Sequence, residues 1–391
     1  MKWMEQELKL LSEASLERFL QVSSINLELP GYTMRNERAL LNLSSNNYLG
    51  LADHPAVIEA MREALLSEGV GSGASRLVTG NRAPYGWLEQ ALAEWQNCES
   101  GLVMANGYMA NIGVIGALVG RGDVVFSDRL NHASIVDGIV LSRAEHVRYR
   151  HNDMEHLRTL LSKYRDRRRK LIVTDAVFSM DGDKACLSEL ALLKQEFGAM
   201  LMVDEAHSGG IYGMQGEGLC HDLGVQDQVD IHMGTFSKSF GVYGAYICGS
   251  RRLIQWLVNQ ARPLIYSTAL PPSLVSGISK ALELVISDHW RRKRLFEATR
   301  IFRSSLRHSG FIIGDGDSPI VPLIVGNNEV ALRFSRELET QGIAAVAIRP
   351  PTVPDGTARI RFSLSAAHSD KELMDAADCI RTIGHQMGVL R

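Results

Sequence analysis

Short apolar runs alternate with amphipathic helical segments between about residues 40 and 280, and this alternation restricts the fold more than any other feature of the chain. Apolar runs of this length are typical of parallel strands that are buried on both faces. The helical segments between them supply the crossovers that parallel strands require. The pattern predicts an α/β segment with a mostly parallel sheet, and the candidate strands are 101–105, 123–126, 171–178, 200–204, 230–235 and 245–248.

A chain of 391 residues is long enough for two domains, and the pattern changes near residue 285. A long charged helix follows there, and then come apolar runs at 319–325 and 358–364 with helices near 328–341 and at the end. This order predicts a smaller α+β domain. The predicted organisation is an N-terminal segment (1–44) packing with the small domain, a large α/β domain (45–284) and a small C-terminal domain (285–391).

Local signals place two further helices in this scheme. Leucines at helical spacing predict an amphipathic helix within residues 1–20. Asp53-His-Pro55 is a helix-start signal, and Gly69 is the expected stop.

Composition excludes several classes of function. The net charge is −2, which gives no global electrostatic attraction to nucleic acid or to an anionic membrane, and the basic runs 165–170 and 291–294 are typical of solvated helix ends. Five scattered cysteines without a Cys-x-x-Cys pair indicate neither a zinc site nor a disulfide framework. No apolar stretch is long enough to span a membrane, and the acidic, amphipathic N-terminus is unlike a secretory signal, so we expect a cytoplasmic location and no bound metal.

Two motifs 31 residues apart carry the chemistry. The stretch Thr235-Phe-Ser-Lys238-Ser-Phe-Gly241 surrounds a lysine with hydroxyls and glycine, and Asp204 ends the apolar run Leu-Met-Val-Asp. A lysine that forms a Schiff base and a carboxylate that keeps a ring nitrogen protonated are the two groups that pyridoxal phosphate (PLP) requires. Thr235 and Ser237 are placed to bind its phosphate, and Gly241 and Gly244 would allow the backbone to approach a ligand. The alternative for Lys238 is an ordinary solvated surface lysine.

Asp204-Glu-Ala-His207 also matches the acidic box of some nucleic-acid helicases. Those enzymes need a phosphate loop of the form Gly-x-x-x-x-Gly-Lys-Ser/Thr, which this sequence lacks; the glycine-rich stretch 69–76 has no lysine. The PLP interpretation is therefore favoured, with His207 near the ring hydroxyl.

Two further segments follow predicted strands. His132, at the start of a helix, could stack on a planar cofactor, although a cap or surface role is the commoner one. Gly107 and Tyr108 lie at a strand-to-helix turn, where backbone N–H groups could bind phosphate.

Arg359 and Arg361 alternate along a predicted strand and therefore share one face, opposite Ile360. An arginine fork suits the carboxylate of an amino-acid substrate. Surface arginines on an edge strand are an equal alternative.

Several motifs occur in a fixed order, and together they resemble the α-oxoamine synthases, PLP-dependent enzymes of fold type I. The motifs are Ser44–Gly50, the turn at Gly107, Asp128–Ser134, Phe178–Asp183, Val203–His207 and Thr235–Gly241. The resemblance covers nearly the whole chain, and it implies a homodimer with active sites at the subunit interface.

The resemblance also implies a role for each matching residue. Lys238 would carry the cofactor, His132 would stack on the ring, Asp204 would bind the ring nitrogen, and Ser179 and His207 would lie near the ring hydroxyl. The phosphate contacts would be Gly107, Tyr108, Thr235 and Ser237, with Ser267 and Thr268 reaching the neighbouring subunit's phosphate. Asn46 and Arg361 would hold the amino-acid carboxylate, and Thr352 would lie near the acyl substrate.

One segment departs from the family pattern. The N-terminal region often carries Leu-x-Arg-x-Leu-Arg, whereas this chain has Leu16-Glu-Arg18-Phe-Leu-Gln21, so Arg18 is the remaining candidate for an acyl-substrate contact.

The segment Arg349–Arg361, with its Pro-Pro-Thr-Val-Pro core, resembles the family branch that condenses L-alanine with a pimeloyl thioester, either pimeloyl-CoA or pimeloyl-acyl-carrier protein. A sister activity, glycine with acetyl-CoA, shares the same catalytic residues and remains the alternative. A non-catalytic binding module of the same fold is a third possibility, against which Lys238, Asp204 and His132 argue together.

Overall fold

The computed structural model describes residues 1–390. In chain order its elements are α1 (Lys2–Glu13), β1 (Tyr32–Arg35), β2 (Arg38–Asn42), α2 (Pro55–Glu68), α3 (Ala83–Trp95), β3 (Ser100–Met104), α4 (Gly107–Leu118), β4 (Val124–Asp128), α5 (Ala133–Ser142), β5 (Glu145–Tyr149), α6 (Met154–Lys163), β6 (Lys170–Asp175), α7 (Leu187–Phe197), β7 (Met200–Asp204), α8 (Leu219–Asp222), β8 (Ile231–Thr235), β9 (Ala245–Gly249), α9 (Arg251–Gln260), α10 (Arg262–Ile265), α11 (Pro272–Ser287), α12 (His289–His308), β10 (Ile320–Gly326), α13 (Asn328–Thr340), β11 (Ile343–Ala344), β12 (Val346–Ile348), β13 (Ala358–Ser363) and α14 (Asp370–Gln386). None of these helices is long and apolar enough to cross a membrane.

The chain divides into two compact units. The larger unit contains Leu51–Phe178 and Lys184–Arg292, and the smaller contains Met1–Gly50, Ser179–Asp183 and the residues from Lys293 onward. The domain limits predicted at 44/45 and 284/285 remain predictions. The sequence did not distinguish Ser179–Asp183, a short excursion of the chain into the smaller unit.

The larger unit is built around a seven-stranded sheet in the order β3-β9-β8-β7-β6-β4-β5. The pairs from β8 to β5 are parallel, and β9 is antiparallel to both of its neighbours. All six predicted strands are confirmed, although the run at 171–178 ends as a strand at Asp175. The edge strand β5 was missed because its sequence, Glu-His-Val-Arg-Tyr, is mostly polar, with the exposed Arg148 between the buried Val147 and Tyr149.

Apolar side chains between this sheet and helices α4, α5 and α9 form the core of the larger unit. Val125 and Val173 of the sheet are fully buried, as are Ile139 of α5 and Leu257 of α9. Fully burying a side chain of this size contributes roughly 1.5–3 kcal/mol. This packing fixes the strands, and with them the polar residues at the carboxyl ends of the strands.

The smaller unit contains two three-stranded sheets, β1-β2-β11 and β10-β13-β12. Strand β13 is central in the second sheet, antiparallel to β10 and β12, and all of its residues are buried. Phe362 of β13 packs edge-to-face on Phe302 of α12 at 5.3 Å between ring centroids. Arg359 and Arg361 are therefore interior residues, and the interpretation of them as surface arginines on an edge strand is wrong.

Candidate active site

The carboxyl ends of neighbouring parallel strands bring polar residues together in the larger unit. Asp175 ends β6, Asp204 ends β7 and Thr235 ends β8. Asp175 and Asp204 are direct partners in the strand register, and both are buried. Since ligands of open α/β sheets bind beyond the carboxyl ends of the strands, this edge is the expected position of a site.

Lys238 lies in the turn that follows β8, and its Nζ is 2.7 Å from Nε2 of His207. His207 is buried in the loop after β7, so two adjacent strand ends deliver the amine and the imidazole to one point. The structure thus brings together Lys238 and His207, which belong to motifs that follow two separate strands.

The turn around Lys238 depends on glycine for a reason that the sequence did not predict. Gly241 has φ of +69°, and a Cβ on it would lie 2.2 Å from the backbone nitrogen of Ala52. The close approach at Gly241 is therefore to the protein's own backbone.

The Asp204 carboxylate is held by two donors. Its Oδ2 accepts a hydrogen bond from Nδ2 of Asn111 at 2.8 Å, and its Oδ1 accepts one from the backbone N–H of Ala206 at 2.9 Å. Hydrogen bonds from N–H groups favour the charged form of a carboxylate, so Asp204 is equipped to present a negative charge in a buried place.

Asp175 is a member of the site that sequence reasoning missed. Its Oδ2 accepts a hydrogen bond from the backbone N–H of His132 at 2.7 Å. Burial raises the pKa of Asp175 well above its ordinary value, and the neighbouring charge of Asp204 raises it further. Its polar side chain within the predicted apolar strand 171–178, directly before the Ala-Val-Phe that leads to Ser179, was the available signal.

His132 caps the N-terminus of α5, as predicted for a residue at the start of a helix. Its Nδ1 lies 2.7 Å from Oγ of Ser134. His132 is exposed in this chain, and the atoms packed around it still desolvate it and lower its pKa. The charge of Lys238 also lowers this pKa, whereas the charge of Asp204 raises it. Tyr108 meets the ring edge-to-face at 6.4 Å between centroids.

The predicted phosphate contacts cluster at the N-terminus of α4. This helix begins at Gly107, and a Cβ on Gly107 would lie 3.8 Å from Cβ of Thr235. Ser237 follows, with its backbone N–H donating to Oγ1 of Thr235 at 3.2 Å. Backbone donors of a helix N-terminus and side-chain hydroxyls therefore lie next to each other, a combination that suits an anion.

Ser267 and Thr268 line a small cavity of about 20 Å³ in the larger unit, together with Arg76, Tyr85 and other residues. Lys238, Asp204 and His132 are not among the residues that line this cavity.

In the smaller unit Arg361 is bound by the residues predicted to act with it. Its two terminal nitrogens lie 3.2–3.3 Å from Oδ1 of Asn46, and its Nε donates to the carbonyl of Ser179 at 2.6 Å. Among the described residues Arg361 forms no ion pair, whereas Arg359 on the same strand pairs with Asp181. A buried cation without a protein carboxylate is costly, and a carboxylate ligand would relieve that cost.

Arg18 and Thr352 also lie close together in the smaller unit. Nη2 of Arg18 is 3.5 Å from Oγ1 of Thr352, and both residues are exposed. Sequence reasoning missed Arg349, which donates to the carbonyls of Ser15 and Glu17. Burial lowers the pKa of Arg349, and the charge of Arg18 lowers it further.

The sequence matches the family model described as aminotransferase class I and II over residues 38–380. The chain belongs to this family. The match spans both units, and it includes every predicted site residue except Arg18.

Relatives in the aminotransferase class I and II family extend the likeness over almost the whole chain. A protein of Geobacillus kaustophilus named "Putative 8-amino-7-oxononanoate synthase" is 52% identical over 356 residues, which is 91% of each chain. A protein of Bacillus cereus strain Q1 with the same name is 50% identical over 377 residues, covering 96% of this chain and 95% of the relative.

Solved structures agree with the α/β fold and its sheet. Serine palmitoyltransferase from S. paucimobilis, solved with a bound PLP–myriocin aldimine, superposes with a TM-score of 0.94 at 32% identity and covers 99% of this chain and 98% of its own. The 8-amino-7-oxononanoate synthase of Francisella tularensis gives a TM-score of 0.75 at 27% identity, covering 88% and 97% of the two chains. The predicted fold, a PLP-dependent transferase of fold type I, is confirmed.

A second buried polar cluster lies next to the site in the larger unit. Glu205, Cys220 and His232 are buried, with ligand-type atoms within 4.8 Å of one another. Oε1 of Glu205 accepts the backbone N–H of Cys220 at 3.0 Å, and Nε2 of His232 lies 3.1 Å from the carbonyl of Gln226. Glu205 and His232 are thus hydrogen-bonded to backbone atoms of the same unit. The expectation of no bound metal stays a prediction.

Proposed function

We propose that this chain is a PLP-dependent acyltransferase that condenses L-alanine with a pimeloyl thioester, releasing CO2 and free thiol and forming 8-amino-7-oxononanoate, a step of biotin synthesis. Relatives of about 50% identity over nearly the whole chain bear the name of this activity. The observation that carries the chemistry is the contact of Lys238 with His207 at strand ends next to the buried Asp204.

The residues present fit PLP by their donor set. An amine lies beside the imidazole of His207, a buried carboxylate is held by two N–H donors, and a helix N-terminus lies beside the hydroxyl of Thr235. Lys238 would attach the cofactor, Asp204 would bind its ring nitrogen and His132 its ring face. Gly107, Tyr108, Thr235 and Ser237 would hold its phosphate, and Ser179 and His207 would bind its ring hydroxyl.

When bound, PLP supplies an electron sink for the charge that develops on the α-carbon of alanine. The protein's own residues do the rest. Arg361 and Asn46 orient the alanine carboxylate, and Lys238 takes the proton from the α-carbon. His207, in contact with Nζ of Lys238, can exchange that proton.

The bond that forms joins the α-carbon of alanine to the acyl carbonyl carbon of the thioester. The thiol leaves with a proton, the alanine carboxylate leaves as CO2, and the α-carbon is reprotonated. Thr352 and Arg18 are proposed to contact the acyl substrate. The cofactor supplies the electronic chemistry, and the protein supplies orientation and electrostatics.

Two features of the proposal concern assembly and location. We propose a homodimer in which the partner subunit's Ser267 and Thr268 complete each phosphate site, as the resemblance to the α-oxoamine synthases implies; in their own chain they line a cavity whose lining does not include Lys238. A cytoplasmic location is proposed from the composition.

Product analysis tests the reaction. The purified protein is supplied with alanine, glycine or serine in combination with pimeloyl-CoA, pimeloyl-acyl-carrier protein, acetyl-CoA or palmitoyl-CoA, and the products are identified by mass spectrometry. Alanine with a pimeloyl thioester should be preferred. The alanine methyl provides only ~1–3 kcal/mol of discrimination against glycine, so slow glycine turnover is expected. The pimeloyl chain discriminates more strongly, because each buried methylene adds about 0.8 kcal/mol.

Other outcomes are equally specific. A preference for glycine with acetyl-CoA would assign the sister activity, and a preference for serine with palmitoyl-CoA would assign the activity in the name of the structural neighbour.

Cofactor attachment is tested separately from turnover. The protein should be yellow, and borohydride reduction followed by peptide mapping should find the cofactor on the peptide that contains Lys238. Label on another lysine would exclude the assignment. Lys238→Ala should keep affinity for PLP through the phosphate contacts and lose turnover.

A further inference from the structure

Asn111 is a buried residue of α4 that lies between the two groups proposed to hold the PLP ring. Its side chain is 1% exposed. One Nδ2 contact reaches Oδ2 of Asp204 at 2.8 Å, and the other reaches Oγ of Ser134, also at 2.8 Å. Oγ of Ser134 in turn lies 2.7 Å from Nδ1 of His132. A single amide thus connects the carboxylate to the histidine.

The direction of the hydrogen bonds in this network follows from the chemistry of the groups. An ionised Asp204 carboxylate can only accept, so the NH₂ end of the Asn111 amide must face it. Nδ1 of His132 accepts the backbone N–H of Ser134 at 3.3 Å, so Nδ1 carries no proton and also accepts from the Ser134 hydroxyl. The donors therefore run from Asn111 to Ser134 and from Ser134 to His132.

The orientation of the Asn111 amide leaves one buried acceptor without a hydrogen bond within residues 1–390. Oδ1 of Asn111 is buried and has no hydrogen-bond partner among the described residues. Turning the amide over would place Oδ1 against the Asp204 carboxylate and would lose both donor contacts. Leaving one acceptor unpaired is the smaller penalty, since hydrogen bonds to charged groups are the stronger ones.

The same contacts distinguish two adjacent carboxyl groups. Asp204 accepts from both Asn111 and Ala206, whereas its register partner Asp175 accepts the backbone N–H of His132. Burial raises the pKa of Asp175, and the neighbouring charge of Asp204 raises it further, so a second negative charge at Asp175 is disfavoured. The two N–H donors to Asp204 favour a negative charge on that carboxylate, which is where a protonated ring nitrogen would need it.

We propose that Asn111 is a positioning residue that couples the Asp204 charge to the orientation and tautomer of the His132 ring. The coupling rests on the proposed function, in which Asp204 and His132 hold the cofactor ring. Asn111 acts through these two residues, so its loss should disturb both groups together.

The test compares Asn111→Ala, Ser134→Ala and the double variant with the wild type. Asn259→Ala on α9 is the control, because Asn259 is exposed and its Nδ2 donates to the carbonyl of Gln255 within its own helix. For each purified protein with PLP, the measurements are kcat and KM for alanine, the pH midpoint of the change in the bound cofactor's absorption spectrum, and the thermal unfolding midpoint.

Asn111→Ala should lower kcat roughly tenfold to a hundredfold, the range expected for hydrogen bonds to a charged group, with little change in KM for alanine. The spectral midpoint should shift by on the order of one pH unit, which a purely structural loss would not cause. Ser134→Ala should have a smaller effect, and the double variant should be no worse than Asn111→Ala, because both residues act along one chain of hydrogen bonds.

The outcomes separate this inference from the proposed function. If the wild type binds PLP and Asn111→Ala keeps its spectral midpoint and kcat, or if the two single effects add fully, the coupling is wrong and the proposed function is untouched. If the spectral midpoint shifts as expected but alanine and pimeloyl thioesters give no product, the coupling stands and the substrate assignment fails. If the wild type takes up no PLP, both are wrong.

Discussion

Arg359 and Arg361 are two arginines on one face of a strand, and their charges have different partners. Both are buried in β13, at 3% and 7% exposure. Arg359 is neutralised by Asp181, whereas the contacts of Arg361 within the described part of the chain are to neutral oxygens of Asn46, Tyr48, Ser179 and Ser363. The alternation in the sequence predicted their shared face, and only the tertiary contacts distinguish the arginine of the ion pair from the arginine proposed to bind a carboxylate.

Arg361→Ala should therefore raise KM for alanine roughly tenfold to a hundredfold, because it removes a charge-assisted fork to the substrate carboxylate. Arg359→Ala is the matched control; it should lower the unfolding midpoint by breaking the pair with Asp181 and leave KM for alanine nearly unchanged. Steady-state kinetics with varied alanine measure both. Equal effects of the two variants on KM would remove the basis for assigning the clamp to Arg361.

His368 is a buried histidine of the smaller unit whose Nδ1 accepts the backbone N–H of Ser365 at 3.1 Å. Burial lowers its pKa to about 4, so the folded protein keeps it neutral. The unfolded chain binds the proton near its ordinary pKa of about 6.5. The contribution of this histidine to the free energy of unfolding is therefore fully present above about pH 6.5. It is lost as the pH falls towards 4, which lowers the free energy of unfolding by up to about 3 kcal/mol.

His368→Asn, which keeps an acceptor for Ser365, should flatten this acid dependence. Urea unfolding between pH 7.5 and pH 4.5 measures the effect, with His308→Asn on the exposed end of α12 as the control that keeps the wild-type profile. An unchanged acid dependence in His368→Asn would show that other groups cause it.

At the scale of elements, the helix-start and helix-stop signals in the sequence predicted the ends of α2 well. The start signal at Asp53-His-Pro55 and the stop at Gly69 bound α2, and the structure identifies His54 as the residue whose side chain caps the helix. Elements with mixed composition were harder to predict. The N-terminal helix, predicted within residues 1–20, ends at Glu13 because no buried face supports a longer one. Strand β5 was missed because its own pattern is only partly apolar, and it is paired at the sheet edge with β4.

The turn after β8 gives a prediction at this scale. Gly241→Ala should lower the free energy of unfolding by more than the strain of a positive φ accounts for, because the added Cβ would collide with the backbone of Leu51 and Ala52. Gly224→Ala is the control, with φ of +66° and no atom within 4 Å of the added Cβ, and it should cost about 1–2 kcal/mol. Gly241→Ala should cost ~1–3 kcal/mol more, as overpacking does. Urea midpoints that are equal for the two variants would contradict the steric argument.

At the scale of the whole molecule, apolar side chains remain uncovered. Helix α1 has no buried residue, and Trp3, Leu8, Phe19 and Val22 are exposed. Apolar surface of this kind marks an interaction site, and it supports the proposed homodimer. Light scattering should give twice the chain mass of 43.2 kDa.

The proposed sharing of sites in the homodimer is testable by complementation. Lys238→Ala and Ser267→Arg should each be inactive alone, the second because it blocks the neighbouring subunit's phosphate site. Co-expression should restore activity, since one of the two sites in each hybrid dimer would contain neither substitution. A monomeric, fully active protein, or hybrids without activity, would contradict the arrangement.

The sequence alone determined the α/β class, the strands that end in polar residues and the motif residues Lys238, Asp204 and His207. These features are local, because periodicity, caps and turn residues act over a few positions. Tertiary structure decided which groups act together. It placed Asp175 beside Asp204, inserted Asn111 between Asp204 and Ser134, and buried Arg361 without a counterion among residues 1–390. The physical reason is that pairing between strands and helix packing join residues far apart in the chain, and the charge and hydrogen-bond state of each group depends on those neighbours.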